Sequence, residues 1–438
     1  MHGRIGELSG SFRSFWRGEE RGSMAATTIL SELRRLTPSQ RNVVIASYLG
    51  WTLDAFDFFI MVFVLKHIAE DFGTDVKSVA LAITLTLAAR PLGALLFGLL
   101  ADRYGRRPVL MADVLLYSAI EFASAFAPTL AALLALRFVF GIAMGGEWGV
   151  GASLTMETIP AKTRGLISGL LQAGYPSGYL IASIVFAVLF PHIGWRGMFM
   201  VGAAPALLVL FIRRNVEESP AFVARRARLE RPNFLAVARR HIGKLIYVVL
   251  LMTAFNFFSH GTQDLYPTFL EVQRGFQPET VGIIVVIYNI GAILGGLTSG
   301  TLSEHIGRRR AIVIAALLAL PVIPLWAFST SPEALALGGF LMQVAVQGAW
   351  GIVPVHLNEL SPDEIRGTFP GLAYQLGNLL ASINAYMQAG IAQSYGGNYA
   401  LALALVTGVV AVAVAFLAWI GREARGVIFG RPSMRPAD

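Results

Sequence analysis

Twelve times along this chain, about 20 residues in succession are predominantly apolar, the length an α-helix needs to cross the hydrocarbon core of a bilayer. The runs lie at roughly 43–66, 78–101, 108–127, 130–155, 165–190, 195–213, 241–270, 279–301, 311–329, 333–356, 367–391 and 398–420. The pattern predicts an all-α membrane protein with twelve transmembrane helices. Charge supports it, because only 14% of residues are charged where a soluble protein averages about 25%. The 438 residues include no cysteine, so neither a disulfide framework nor a thiolate metal site can form.

An even number of spans puts both termini on one side, and lysine and arginine say which. Lys66, Lys77, Arg196 and Arg274 fall in the segments between odd and following even spans, and Arg90 and Arg137 lie inside spans. The other Lys and Arg residues gather at the opposite side, so the positive-inside rule expects both termini in the cytoplasm of a cell bounded by this membrane. The net charge of +8 is thereby explained by topology and is no argument for nucleic acid. The expected plan is a basic arm over 1–42, a six-helix bundle over 43–214, a linker over 215–240, a second bundle over 241–420 and a tail over 421–438. The arm lacks the apolar stretch of a cleaved leader, and Met24 is an alternative start.

The two bundles are copies. GLLADRYGRRP at 98–108 recurs as GTLSEHIGRRR at 300–310, and ETIPAKTRG at 157–165 recurs as ELSPDEIRG at 359–367, both at an offset of 202 residues. Duplicated six-span halves that rock about a midplane site are a common plan of secondary transporters. The loop G-x-x-x-D-R-x-G-R-R after span 2, its echo after span 8, and R-x-x-x-G at Arg137–Gly141 resemble the major facilitator superfamily over nearly the whole chain. The resemblance implies two pseudo-symmetric six-helix halves and alternating access. It makes Asp102, Arg106 and Arg107, with Glu304 and Arg308 as their echo, candidate gating residues. Asp102 could pair with a basic group only when the cytoplasmic faces are closed, a contact with two states. Simple topology anchoring is the competing reading of the arginines.

Where the copies differ, function is expected. Asp54 aligns with Asn256, Asp57 with Ser259, and Arg90 with Ala292. Arg90 sits near the middle of span 2. A guanidinium keeps its proton and offers a planar fork to a carboxylate, so Arg90 either pairs permanently with Asp54 or Asp57 or holds a substrate carboxylate. Asp54 and Asp57 are spaced i, i+3 on one face; like charges so close repel, and either could carry a coupled proton. Glu121 and Glu147 are further candidates, with Glu121 and Arg137 read as a structural pair.

Span 7 carries the densest polar stripe. Asn256, His260, Gln263, Asp264 and Pro267 fall within roughly a 100° arc. Ionisable groups within a membrane are functional candidates by default, and histidine is the side chain that changes charge near physiological pH. His260 and Asp264, spaced i, i+4, are within hydrogen-bond reach; a polar knot that merely locks the span is the bland alternative. The stretch 256–268 is also similar to the signature N-x-x-[ST]-H-x-[ST]-Q-D-x-x-x-T of Jen-type lactate permeases, in a group of sialate and monocarboxylate proton symporters. Asn256, Ser259, His260, Thr262, Gln263, Asp264 and Thr268 satisfy every fixed position. That resemblance implies proton-coupled uptake of lactate, pyruvate and similar acids, with Asn256, His260, Gln263 and Asp264 in binding or coupling and Arg90 as the second-span arginine.

The expectation is therefore a symporter of short monocarboxylates. Sialic acid or another organic acid is the first alternative, and a non-transporting nutrient sensor a remote one. The expected partners are a small organic anion, a proton and the lipid bilayer, with no cofactor and no metal. A single chain is expected to suffice. No nucleotide loop or metal constellation points to an enzyme.

Overall fold

The computed structural model describes residues 31, 33–227 and 234–430, with only the backbone of Val76 and Lys77. Met24, most of the N-terminal arm and the end of the tail lie outside the described residues. Among the described residues every regular element is a helix.

Spans 1 to 4 are Pro38–Asp71, Val76–Tyr104, Arg106–Ser124 and Leu130–Thr158. Span 5 comprises Arg164–Gln172 and the start of Gly174–Val201. The chain breaks at Gly194 (φ 61°), and span 6 runs on from there through Ala206–Asn215. Span 7 is Ile242–Gln263 with a short continuation, and span 8 is Pro278–Ile306. Span 9 is Arg308–Phe328, span 10 Pro332–Trp350 with Val353–Leu360, span 11 Phe369–Ala381 with Asn384–Ser394, and span 12 Tyr399–Ile420.

Among the described residues, nine helices or joined helices are long and apolar enough to cross a membrane by length and composition. One of them, Ala161–Asn215, holds spans 5 and 6 together. Span 3 misses that standard because Arg106, Arg107, Asp113 and Glu121 lie on it. Span 11 misses it because it is split into pieces of 13 and 11 residues. The fold is all-α with twelve spans.

Local chemistry starts these helices where the apolar runs predict. Thr37 and Gln40 form a reciprocal cap ahead of span 1, with Pro38 in its first turn. Asp75, Thr129 and Ser331 cap spans 2, 4 and 10. The turn from span 2 to span 3 needs a left-handed residue and has Gly105 (φ 114°); 202 positions later Gly307 (φ 96°) makes the same turn.

Packing repeats between the halves. Span 2 packs on span 4 as span 8 packs on span 10, and span 1 on span 5 as span 7 on span 11. Span 5 meets span 8, and span 2 meets span 11, across the divide between halves. Leu92, Leu207, Val188, Val409 and Trp419 stay exposed on the outer surface, as a lipid-facing belt requires.

Candidate functional site

A cavity of about 510 Å³ lies between the halves, and Arg90, Asn256, Ser259, His260, Gln263 and Asp264 all line it. The stripe expected on span 7 and the arginine of span 2 thus meet in one space. Asp54 and Asp57 do not line it. Both are buried behind the wall, at 1% and 0% exposure.

Arg90 is buried within the wall. Its Nη2 donates to Sδ of Met144 at 2.7 Å, its Cζ stands 5.4 Å from the centre of the Phe58 ring, and its Nε has no partner. Among the described residues no carboxylate lies within 4.0 Å of it. The permanent ion pair with Asp54 or Asp57 that the sequence left open is absent from this structure. Thioether sulfur is a weak acceptor, so most of the guanidinium's hydrogen-bonding capacity is uncommitted.

Behind Arg90 the N-terminal half holds further buried acids. Arg137 donates to Glu121 at 2.7 Å and to Ser124 at 2.5 Å, between the rings of Phe140 and Phe199; this is the structural pair expected. Asp57 lies beside it: Oδ1 of Asp57 and Oε1 of Glu121 stand 3.1 and 3.2 Å from where a Cβ on Gly202 would be. Glu147 turns its carboxylate onto Gly50 of span 1. Asp113, on span 3, is fully buried with neither oxygen hydrogen-bonded. The sequence reading passed over it, because one acid in an apolar run carries no spacing signal.

Span 7 breaks just where its stripe is richest. Pro267 cannot donate an N–H and its ring crowds the carbonyl four residues back, that of Gln263. The helix accordingly stops at Gln263 and resumes at Tyr266. Nδ1 of His260 lies 3.1 Å from Oδ1 of Asp264, and Nε2 lies 3.0 Å from Oδ1 of Asn378 on span 11. Gln263 donates to Gln343 at 2.9 Å, and Gln347 donates to Ser259 at 3.2 Å, tying the stripe to span 10. Asn256 turns its amide to its own helix, onto the carbonyl of Met252 at 2.7 Å. Asn378, Gln343 and Gln347 were not foreseen, since only tertiary packing brings them to span 7.

Aromatic rings close the space on the other sides. Trp51 stands 5.5 Å from Tyr175, and Tyr374 stands 4.7 Å from Trp148 and 5.6 Å from Trp350, centre to centre. Those residues come from both halves. Along span 4, Met144 meets Arg90, Trp148 joins this cluster, Gly149 touches Gly371 of span 11, and Glu157 reaches the arginine-rich end.

At that end the halves are shut against each other by paired contacts. Asp102 accepts from the backbone N–H of Gly367 at 2.9 Å and of Thr368 at 3.0 Å, and from the Thr368 hydroxyl at 2.7 Å. At the equivalent place Glu304 accepts from the backbone N–H of Gly165. Arg106 binds Glu157 at 3.0 Å as Arg308 binds Glu359 at 3.0 Å, and both also hold the acid one turn before them, Asp102 and Glu304. Arg164 approaches Glu359 at 3.7 Å and Arg366 approaches Glu157 at 3.8 Å, each across the divide. Asp102 thus has basic neighbours, Arg106 of its own half at 3.2 Å and Arg225 of the linker at 3.9 Å, while across the seam it takes N–H groups of the turn that leads into span 11. Arg107 stays within its own half, bonded to the carbonyl of Arg213 and, through its backbone N–H, to Glu218. From the linker helix Pro220–Ala227, Arg225 reaches the carbonyls of Asp102, Asp363 and Glu364. Burial pushes its guanidinium below the ordinary arginine range, and Arg106 nearby adds to that.

Comparison with known proteins agrees with this architecture. The family described as Major Facilitator Superfamily matches residues 47–277, and that described as Sugar (and other) transporter matches 246–424. A carboxylic acid transporter protein homolog of Saccharomyces cerevisiae is 30% identical, over 90% of this chain and 70% of its own length. The sialic acid transporter NanX of Escherichia coli is 28% identical, over 90% of this chain and 97% of its own. The solved proton:xylose symporter XylE bound to 6-bromo-6-deoxy-D-glucose superposes with a TM-score of 0.74 at 18% identity, covering 90% of this chain and 98% of that one.

Proposed function

The chain belongs to the major facilitator superfamily and is a secondary transporter rather than an enzyme, and we propose that it carries a short monocarboxylate such as lactate or pyruvate together with a proton. One observation carries the reading: a buried guanidinium, Arg90, faces the central cavity with no carboxylate in ion-pair contact, Asp54 acting on it only from longer range. A buried cation without a direct ion-pair partner is costly, and an arriving carboxylate relieves that cost in the bidentate geometry arginine favours. The carboxylic acid transporter homolog and the sialic acid transporter among the relatives agree with an acidic cargo.

Coupling follows from electrical work. Moving a monoanion into a cell with a negative interior costs about 2.3 kcal/mol per 100 mV, and one proton moving with it cancels the charge. The proposed cycle begins with the seam at Asp102 and Glu304 closed and the cavity loaded from the opposite, external side, both termini being cytoplasmic. A proton arrives at the His260–Asp264 pair or at Asp54 or Asp57. Arg90 takes the carboxylate, and Asn256 and Gln263 contact its hydroxyl or keto oxygen. The balanced complex then permits the seam to open and both ions to leave.

The size of the cavity favours a second reading. About 510 Å³ lined by several amides and aromatic rings exceeds what a three-carbon acid fills, so a sialic acid or another larger organic acid is the alternative. Labelled lactate uptake into proteoliposomes under an imposed inward proton gradient separates them. Gradient-driven, saturable uptake is expected. An active preparation that ignores lactate but takes up sialate would replace the first reading with the second.

A further inference from the structure

The last ten described residues, Gly421–Gly430, leave span 12 and cross the arginine-rich end from one half to the other. Glu423 accepts from the backbone N–H of Arg309 at 3.1 Å, and Arg425 donates to the carbonyls of Glu304 and His305, both at 2.9 Å. These contacts keep the start of the segment on its own half. Gly426 then turns the chain in the left-handed region (φ 84°). Beyond it, the carbonyl of Val427 accepts from Nη1 of Arg164 at 2.6 Å, and Gly430 meets Ala221 of the linker helix. Arg164 belongs to the N-terminal half.

Phe429 is the centre of this crossing. Cζ of Arg164 stands 3.7 Å from the centre of its ring, and Cζ of Arg366 stands 3.9 Å from it. Two guanidiniums from opposite halves share one ring. Each is drawn to the ring's electron-rich face, and the ring sits between like charges that would otherwise repel. When the halves part at this end, Arg164 and Arg366 move with different bodies, so the ring can stay with only one of them. We propose that residues 426–430 are a strap that holds the seam shut, with Phe429 as its pin, so that the tail sets how readily this end opens. The strap acts on the conformational equilibrium and does not depend on which acid is carried.

The absence of native cysteine makes a direct test available. Ala101 is fully buried at the seam, against Gly367. The full chain with Ala101→Cys is placed in nanodiscs, which leave both faces accessible, and its rate of maleimide labelling is measured without substrate. Phe429→Ala and Phe429→Leu remove the ring; Phe429→Trp keeps an aromatic face. The rate should rise about five- to thirtyfold in the first two, the effect of losing one or two cation–ring contacts, and stay near the parent rate in the third. No rise in Ala and Leu variants that remain monodisperse would overturn the strap, as would an equal rise with Trp. The measurement uses no cargo, so its outcome stands apart from the monocarboxylate reading.

Discussion

Nη2 of Arg90 donates to the sulfur of Met144 at 2.7 Å, and this is the one hydrogen bond recorded for that guanidinium among the described residues. Thioether sulfur is a weak acceptor, so a carboxylate taken up by Arg90 as proposed would have little to displace. Arg90→Ala should reduce saturable uptake at least about 30-fold, the lower end of what truncating one partner of a buried charge pair costs. Met144→Leu, which removes only the thioether, should stay within about threefold of the parent. Substantial saturable uptake in the alanine variant would end the anion-site role.

His260 and Asp264 form a titratable contact on the cavity wall. Asp264→Asn should abolish accumulation driven by a proton gradient while leaving substrate counterflow, which needs binding and rocking but no net proton movement. If accumulation persists in proteoliposomes, the proton is carried at Asp54, Asp57 or His260 instead.

Asp102 and Glu304 hold equivalent N–H groups on the facing half. Hydrogen bonds to a charged group contribute about 1.5–3 kcal/mol, so Asp102→Asn and Glu304→Gln should each shift the population toward an open seam. Spin labels on the two halves, read by pulsed dipolar spectroscopy, should show a longer distance in both variants. A distribution identical to the parent would assign these acids to topology alone.

Close approach at the seam also rests on backbone against backbone. A Cβ on Gly149 would stand 2.7 Å from Cα of Gly371, and one on Gly169 would strike the carbonyl of Gly296. Gly149→Ala and Gly169→Ala should part the halves as the acid variants do, yet without sensitivity to salt. Dipolar distances measured at low and high ionic strength check this.

Arg137 and Glu121 are both buried and joined at 2.7 Å. Arg137→Met leaves a buried carboxylate alone and should destabilise the N-terminal half by about 3–5 kcal/mol. Replacing both, with Glu121→Leu added, should restore much of the loss in a thermal unfolding scan.

Much of this was legible from residue order, for reasons that differ by element. The spans were visible because lipid demands long apolar runs. The seam was visible because a loop used twice left its pattern twice, at Asp102 and Glu304. The stripe from Asn256 to Asp264 was visible because helical spacing alone puts it on one face. Contacts made by packing between spans left no such trace: Met144 beside Arg90, Asn378 against His260, and the ring of Phe429 between Arg164 and Arg366. The depth of Asp54 and Asp57 was equally hidden, since spacing tells which residues share a face but not how far that face lies from a cavity.

The seam has one more consequence. Asp102 touches Gly367, the counterpart of Gly165, and Glu304, the counterpart of Asp102, touches Gly165. Residue i meeting j while j′ meets i′ is the arithmetic of an isologous contact, the kind two identical subunits make about a two-fold axis. The closed end of this single chain is therefore built as a homodimer interface. The two halves behave as fused subunits that differ within the membrane, at Arg90 and Ala292, while remaining self-complementary where they meet.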